Sequence, residues 1–212
     1  MKITQKYYEL KSGIPISQGI SKLGWIETGL SDNGFSPGWY NYWPAYGIVE
    51  ARLDNEIYKE LSKEHIVKRL EYFNQDKLEM IKFFYKKNSS AWNNPSYQSL
   101  WIQKDIKLTE FNNSVVDGEI SKILTKYFNY IQLIIYTGVL LTLIMYYKEF
   151  DYIKSSYLLV IIGGFIFYTF WETKAQYTLQ YYLMMIPYAS IGWNKLTDII
   201  LKKQIMTKNY YK

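Results

Sequence analysis

Residues 163–193 read GGFIFYTFWETKAQYTLQYYLMMIPYASIGW. Two apolar runs meet there at a polar hinge, Glu172-Thr173-Lys174-Ala175-Gln176, with Trp171 and Tyr177 at its edges. The runs on either side are long: residues 155–171 give 17 uncharged positions and residues 175–194 give 20, each enough to cross a bilayer. An acid and a base two residues apart at such a boundary must find water, lipid headgroup or each other. The hinge is therefore the first place to look for chemistry.

Working outward toward the N-terminus, residues 127–147 form a third run, 21 residues without a charge. At 1.5 Å rise per residue it reaches roughly 30 Å, the thickness of the hydrocarbon core. Tyr127, Tyr146, Tyr147, Tyr157, Trp171, Tyr177 and Trp193 crowd the ends of the three runs, where amphipathic rings sit at headgroup depth. Gly163-Gly164, and Ala189 with Gly192, offer small faces for close helix contact, and Pro187 predicts a kink in the last run. The expected fold class is an α-helical integral membrane protein: three C-terminal transmembrane helices, residues 127–147, 155–171 and 175–194, preceded by a mainly helical, aromatic-rich extracytoplasmic region over residues 1–126.

Charge sets the orientation. Residues 1–126 hold 17 Lys and Arg against 15 Asp and Glu, whereas residues 127–212 hold 8 against 4. Residues 195–212 carry Lys195, Lys202, Lys203, Lys208 and Lys212 against Asp198 alone, a basic tail that belongs in the cytoplasm. Three spans then place residues 1–126 and the hinge outside, in a multi-pass protein of the cell membrane. The first residues, MKITQKYYELKSGIPISQG, contain no apolar signal core. Export of residues 1–126 thus calls for an earlier span, and the chain is expected to be the C-terminal part of a longer polytopic protein unless the orientation is inverted.

Residues 13–47 are rich in turn formers and rings: Gly13-Ile14-Pro15, Asp32-Asn33-Gly34, and Ser36-Pro37-Gly38-Trp39-Tyr40-Asn41. They read as an irregular loop held by aromatic side chains, serving either as a small core or as a surface for a sugar or lipid. From Asp54 the period changes. Ile57, Leu61, Ile66, Leu70 and Phe73 mark one amphipathic helix capped by Asp54 or Asn55, and Leu78, Ile81 and Phe84 or Tyr85 mark a second through Lys87. Pro95 and the amides of residues 88–101 break the pattern, residues 112–118 read as another loop, and a helix over 119–126 leads into the first run. His65, the single histidine, reads as a solvated or rim residue.

With no cysteine and one histidine, thiolate and imidazole metal sites are out of reach, and no cofactor is expected. There is no phosphate-binding glycine loop, nucleophile elbow or nucleic-acid motif, so nucleic acid is not an expected partner.

The order GIP, WIETGL and SPGWYN, then IKFFYKKNSSAWNNPSYQSLWI, then the hinge region resembles the C-terminal third of polytopic membrane glycosyltransferases of Gram-positive bacteria. These are GT-C superfamily enzymes, alongside protein mannosyltransferases and the lipid A aminoarabinose transferase. Trp171-Glu172-x-Lys174 with Tyr177 is similar to the family's W-E-x-K-x-R-Y signature. The resemblance implies transfer of a sugar from a polyprenyl-phosphate carrier at the outer membrane face. It places Glu172, Lys174, Tyr177, Trp39, Tyr40 and Asn41 at the donor phosphate or substrate, with membrane lipid and the polyprenyl-phosphate sugar as partners and a separately encoded N-terminal half as a further one. The family's arginine is Gln176 here, and its catalytic acid lies in an early loop to which nothing in this chain corresponds. Asp32, Asp54 and Glu172 are the acids left to test, and the catalytic residue is unassigned. A non-enzymatic, membrane-anchored protein that binds a glycan or lipid-linked sugar is the alternative.

Overall fold

The computed structural model describes residues 2–13, 19–100, 109–149 and 152–210. Among these residues it is all-helical, with nine helices and no strand: α1 Lys2–Ser12, α2 Lys22–Leu30, α3 Trp43–Glu50, α4 Asn55–Gln75, α5 Lys77–Trp92, α6 Glu110–Asp117, α7 Glu119–Tyr146, α8 Tyr152–Phe170 and α9 Ala175–Tyr210. Ile14-Pro15, Trp101 and Lys212 lie outside the described residues.

Local chemistry sets the helix starts. Asp54 accepts from the Glu56 and Ile57 amides to start α4, Asp76 accepts from Glu79 to start α5, and Thr109 accepts from Asn112 to start α6. Several loop expectations give way to helix. The aromatic region expected to be irregular contains α2 and α3, the latter begun by Pro44 in its first turn, a position that suits proline's fixed φ and missing donor. Residues 88–92 continue α5 to Asn93, and Asn112-Asn113-Ser114 lie inside α6. The last run does not end at residue 194 either: α9 continues without a break through Pro187 and into the basic tail.

The core lies on a different face of α5 from the one that hydrophobicity marks. Of the expected face, Leu78, Ile81 and Tyr85 are exposed and Phe84 is half-buried against the core, whereas Phe83, Lys87, Ala91 and Trp92 are buried. That face spans two clusters. At its start, Phe83 joins Leu30 and Phe73 where α2 lies across the α4–α5 hairpin. At its end, Ala91 and Trp92 join Ile161 of α8 and Met185 of α9, backed by Ile135 and Tyr136 of α7. The last carbonyls of α5, which have no partner within the helix, accept from outside it: Ala91 O from Thr178, and Trp92 O from Gln132 and Tyr136.

One helix among the described residues, α7, is long and apolar enough to cross a membrane. Its outward side chains include Leu133, Ile134, Leu140 and Ile144, all exposed. The expected short helix over 119–126 is the first part of it. Its seam with α9 is made of small residues. A Cβ on Gly138 would lie 2.7 Å from Ala189 Cα, and one on Gly192 would lie 2.7 Å from Thr142 Oγ1. Ala189 and Gly192 therefore serve the close contact expected of them. Of the other pair, Gly164 faces the Tyr181 ring and Gly163 faces open space.

Candidate functional site

The loop after α2 is built around Gly38 and Asn41. Gly38 takes φ 73°, in the left-handed region that favours glycine, and donates to Ser31 O at 2.7 Å. Asn41 is satisfied on both sides of its amide. Its Nδ2 donates to Asn33 Oδ1 at 2.8 Å and Ser31 Oγ at 3.2 Å, while its Oδ1 accepts from Thr28 Oγ1 at 3.1 Å and the Trp43 amide at 3.0 Å. Trp39 is buried and donates through its indole to Ser90 Oγ at 3.0 Å, fixing the loop to α5.

The hinge docks onto α2 and this loop by its backbone. The Glu172 amide donates to Trp25 O at 3.1 Å, and the Thr173 amide donates to Gly38 O at 2.9 Å. Two segments more than 130 residues apart thereby form one cleft of about 490 Å³, lined by Trp39, Tyr40, Asn41, Gln98, Lys174 and Gln176 among others. The Lys174 side chain is 27% exposed, with Nζ 5.2 Å from the centre of the Tyr40 ring and 3.9 Å from Glu172 Oε1. Glu172 is buried beneath the cleft. Burial raises its carboxyl above the ordinary value, and Lys174, the Tyr177 hydroxyl and Lys87 partly offset this.

Of the six residues that the sequence singled out, Trp39, Tyr40, Asn41 and Lys174 line the cleft. Glu172 lies under it, and Tyr177 stacks on Tyr168 at 5.8 Å, off the lining. Asp32 is paired with Arg69 at 2.9 Å, and Asp54 is the α4 cap. Neither acid lines this cleft.

Two charged residues escaped the sequence reading. Lys87 is fully buried, and its Nζ donates to Gly29 O at 2.5 Å, Thr169 O at 2.9 Å and Trp171 O at 2.9 Å. These are carbonyls at the C-terminal ends of α2 and α8, where a cation is favoured. Burial pulls its amine down to about 7, against the attraction of the Glu172 charge. The sequence signal was its spacing: Lys87 stands four residues from both Phe83 and Ala91, on one helix face.

Glu27 is the second, a single acid in the otherwise uncharged stretch WIETGL. It lines a separate cleft of about 540 Å³ with Asn41, Trp43, His65 and Arg69, so the rim position expected for His65 holds. Burial pushes the Glu27 carboxyl up to about 7, partly offset by the side chains of Asn41 and Thr28.

A carboxyl that holds its proton more tightly when folded favours the fold at acid pH. The benefit is complete below the ordinary value of 4.5 and is lost as pH rises toward 7. Lys87 acts in the opposite sense in the next window: the fold gains as pH rises from about 7 toward 10.5, because the buried amine sheds its proton first. Glu27→Gln removes the first dependence. Thermal midpoints of both proteins, measured in detergent across the acid window, are expected to show the wild type declining toward neutrality more steeply than the variant.

Comparison with protein-family models, with curated proteins and with solved structures finds no match.

Proposed function

We propose that this chain is the headgroup-binding part of a membrane glycosyltransferase that takes its sugar from a polyprenyl-phosphate carrier at the outer membrane face. One observation carries the reading: the Trp39-Tyr40-Asn41 loop and Lys174 meet in one cleft at the hinge between α8 and α9. Both helices leave apolar side chains uncovered, among them Leu159, Ile162 and Ile166 on α8 and Leu183 and Ile186 on α9. With α7 they make three spans of a multi-pass protein, and the cleft then lies at headgroup depth.

The chemistry suits a lipid phosphate. Lys174 is a compact cation whose carboxylate neighbour, at 3.9 Å, lies beyond hydrogen-bond length, so its protons are available to phosphate oxygens. The Tyr40 ring and the exposed Gln176 amide offer a flat face and hydrogen bonds to the attached sugar. A separately encoded N-terminal half would supply the catalytic acid. One feature favours the non-enzymatic alternative, a binder of lipid-linked sugar: no carboxylate is among the described residues lining this cleft.

Lys174→Ala tests the phosphate contact. Binding of the purified full chain to phosphatidylcholine vesicles with and without polyprenyl phosphate is measured by flotation. Loss of a charge-assisted hydrogen bond should weaken the phosphate-dependent part about tenfold or more. Undiminished binding by a variant with an unchanged thermal midpoint would leave Lys174 as a simple ion-pair partner of Glu172.

A further inference from the structure

We infer that the second cleft, between the C-terminal end of α2 and the middle of α4, is a binding site for a neutral sugar ring, with Glu27 receiving its hydroxyls. The inference does not rest on the lipid-phosphate reading: Lys174 is absent from this cleft, and the two clefts share only Asn33 and Asn41.

The first observation is an unmet hydrogen-bonding need. Glu27 Oε2 is buried with no hydrogen-bond partner among the described residues, and the His65 ring stands with Nδ1 3.7 Å from Oε1, too far for a hydrogen bond. An unsatisfied buried oxygen is costly, and a small turn of the carboxyl toward an incoming hydroxyl relieves it. With the carboxyl pushed up to about 7, Glu27 is partly protonated near neutral pH and both donates and accepts, as a sugar hydroxyl does.

The second observation is the charge balance of the walls. Asp32 is occupied by Arg69 at 2.9 Å, and Arg69 also donates through Nε to Leu30 O at 2.9 Å. Lys68, at the rim, is held by Glu64 at 2.6 Å. A phosphate would find its cations engaged, and an amine would find its carboxylates engaged or protonated. A neutral, hydroxyl-rich ligand meets neither obstacle.

The third observation is the flat apolar wall. Trp43 is fixed by its indole N–H on Ser62 Oγ at 3.2 Å and by a stack on Tyr58 at 6.0 Å. Tyr46, 69% exposed, borders the same space. Rings beside carboxyl and amide groups match the two kinds of surface on a sugar, C–H faces and hydroxyl edges.

His65 makes the test direct, because it is the single histidine of the sequence and its ring lies in the cleft. The full chain, labelled at the histidine ring and held in detergent micelles, is titrated with neutral methyl glycosides of glucose, mannose and galactose. Glycerol and inorganic phosphate are the comparison probes. The expected result is a saturable shift of the His65 ring signals with at least one glycoside, absent with glycerol and phosphate, and weakened about tenfold or more in Glu27→Ala. Silence across the three glycosides, an equal response to glycerol, a response to phosphate instead, or full binding by Glu27→Ala overturns the inference. If Glu27→Ala does not fold, intermolecular NOEs between the His65 ring and the glycoside in the wild-type protein decide in its place: their presence supports the site and their absence overturns it.

Discussion

Lys87→Met is expected to lower the stability of the protein by about 3 kcal/mol or more, the order seen when one member of a buried polar set is removed. Methionine fills nearly the same volume but donates nothing. Gly29 O, Thr169 O and Trp171 O lose the donor that they share, in a place that the lysine itself seals from solvent. Lys87→Arg does not rescue, because the side chain lies against Gly38, where even a Cβ would come within 2.6 Å of Lys87 Cδ. Thermal unfolding in detergent measures the loss. A midpoint within a degree of the wild type would mean that the three carbonyls find other donors. Because Trp171 precedes the hinge, the variant should also loosen the Lys174 cleft. Reduced polyprenyl-phosphate binding would then accompany the lost stability, even though Lys87 does not line that cleft.

Gly192→Leu is expected to have an effect of similar size by the opposite route, overpacking. The Cβ that it adds falls against the Gly138 carbonyl and near Thr142 of α7, and a backbone atom cannot swing aside as a side-chain tip does. Separating α7 from α9 also breaks the Trp193 indole bond to Ile134 O at 2.9 Å and the Thr142 hydroxyl bond to Tyr188 O. A cost of roughly 3 kcal/mol follows from overpacking plus lost hydrogen bonds. Circular dichroism melts in detergent measure it, and the Trp193 change should appear in near-ultraviolet signals. Gly163→Ala is the control: nothing lies within 4 Å of the added carbon, and alanine favours helix, so stability should hold or rise. A melt of Gly192→Leu that matches the control would remove the small-residue seam as the reason for the close approach.

The legible parts of the sequence were those in which one residue type has one physical consequence. Asp54 before an amphipathic run is a cap, the uncharged run of residues 127–147 lies in a long helix up to Tyr146, and Ala189 with Gly192 permits close approach. Of the residues that the resemblance groups at one donor site, Trp39, Tyr40, Asn41 and Lys174 line the same cleft. What was not legible depends on tertiary neighbours. Periodicity gave α5 the wrong face because its buried stripe includes a lysine, and hydrophobicity ranks a lysine as solvent-facing when nothing shows the three carbonyls that wait for it. Glu27 is hidden for a related reason: its character comes from burial by α3 and α4, and neither helix announces its position in the residues around Glu27. Asn112-Asn113-Ser114 looked like a loop by composition, yet the Thr109 cap starts a helix there.

Phe83, Lys87 and Ala91 stand on one stripe of α5 and answer to different neighbours: the α2–α4 cluster, the two helix ends, and the α7–α8–α9 cluster. The N-terminal and C-terminal halves of this chain are consequently expected not to drift independently over evolutionary time. A change that shifts α5 to suit one cluster moves the lysine away from carbonyls belonging to the other, so each half acts as a selective filter on the other. Descendants of this sequence should carry their compensating substitutions in pairs across residues 83–92, one partner in each half.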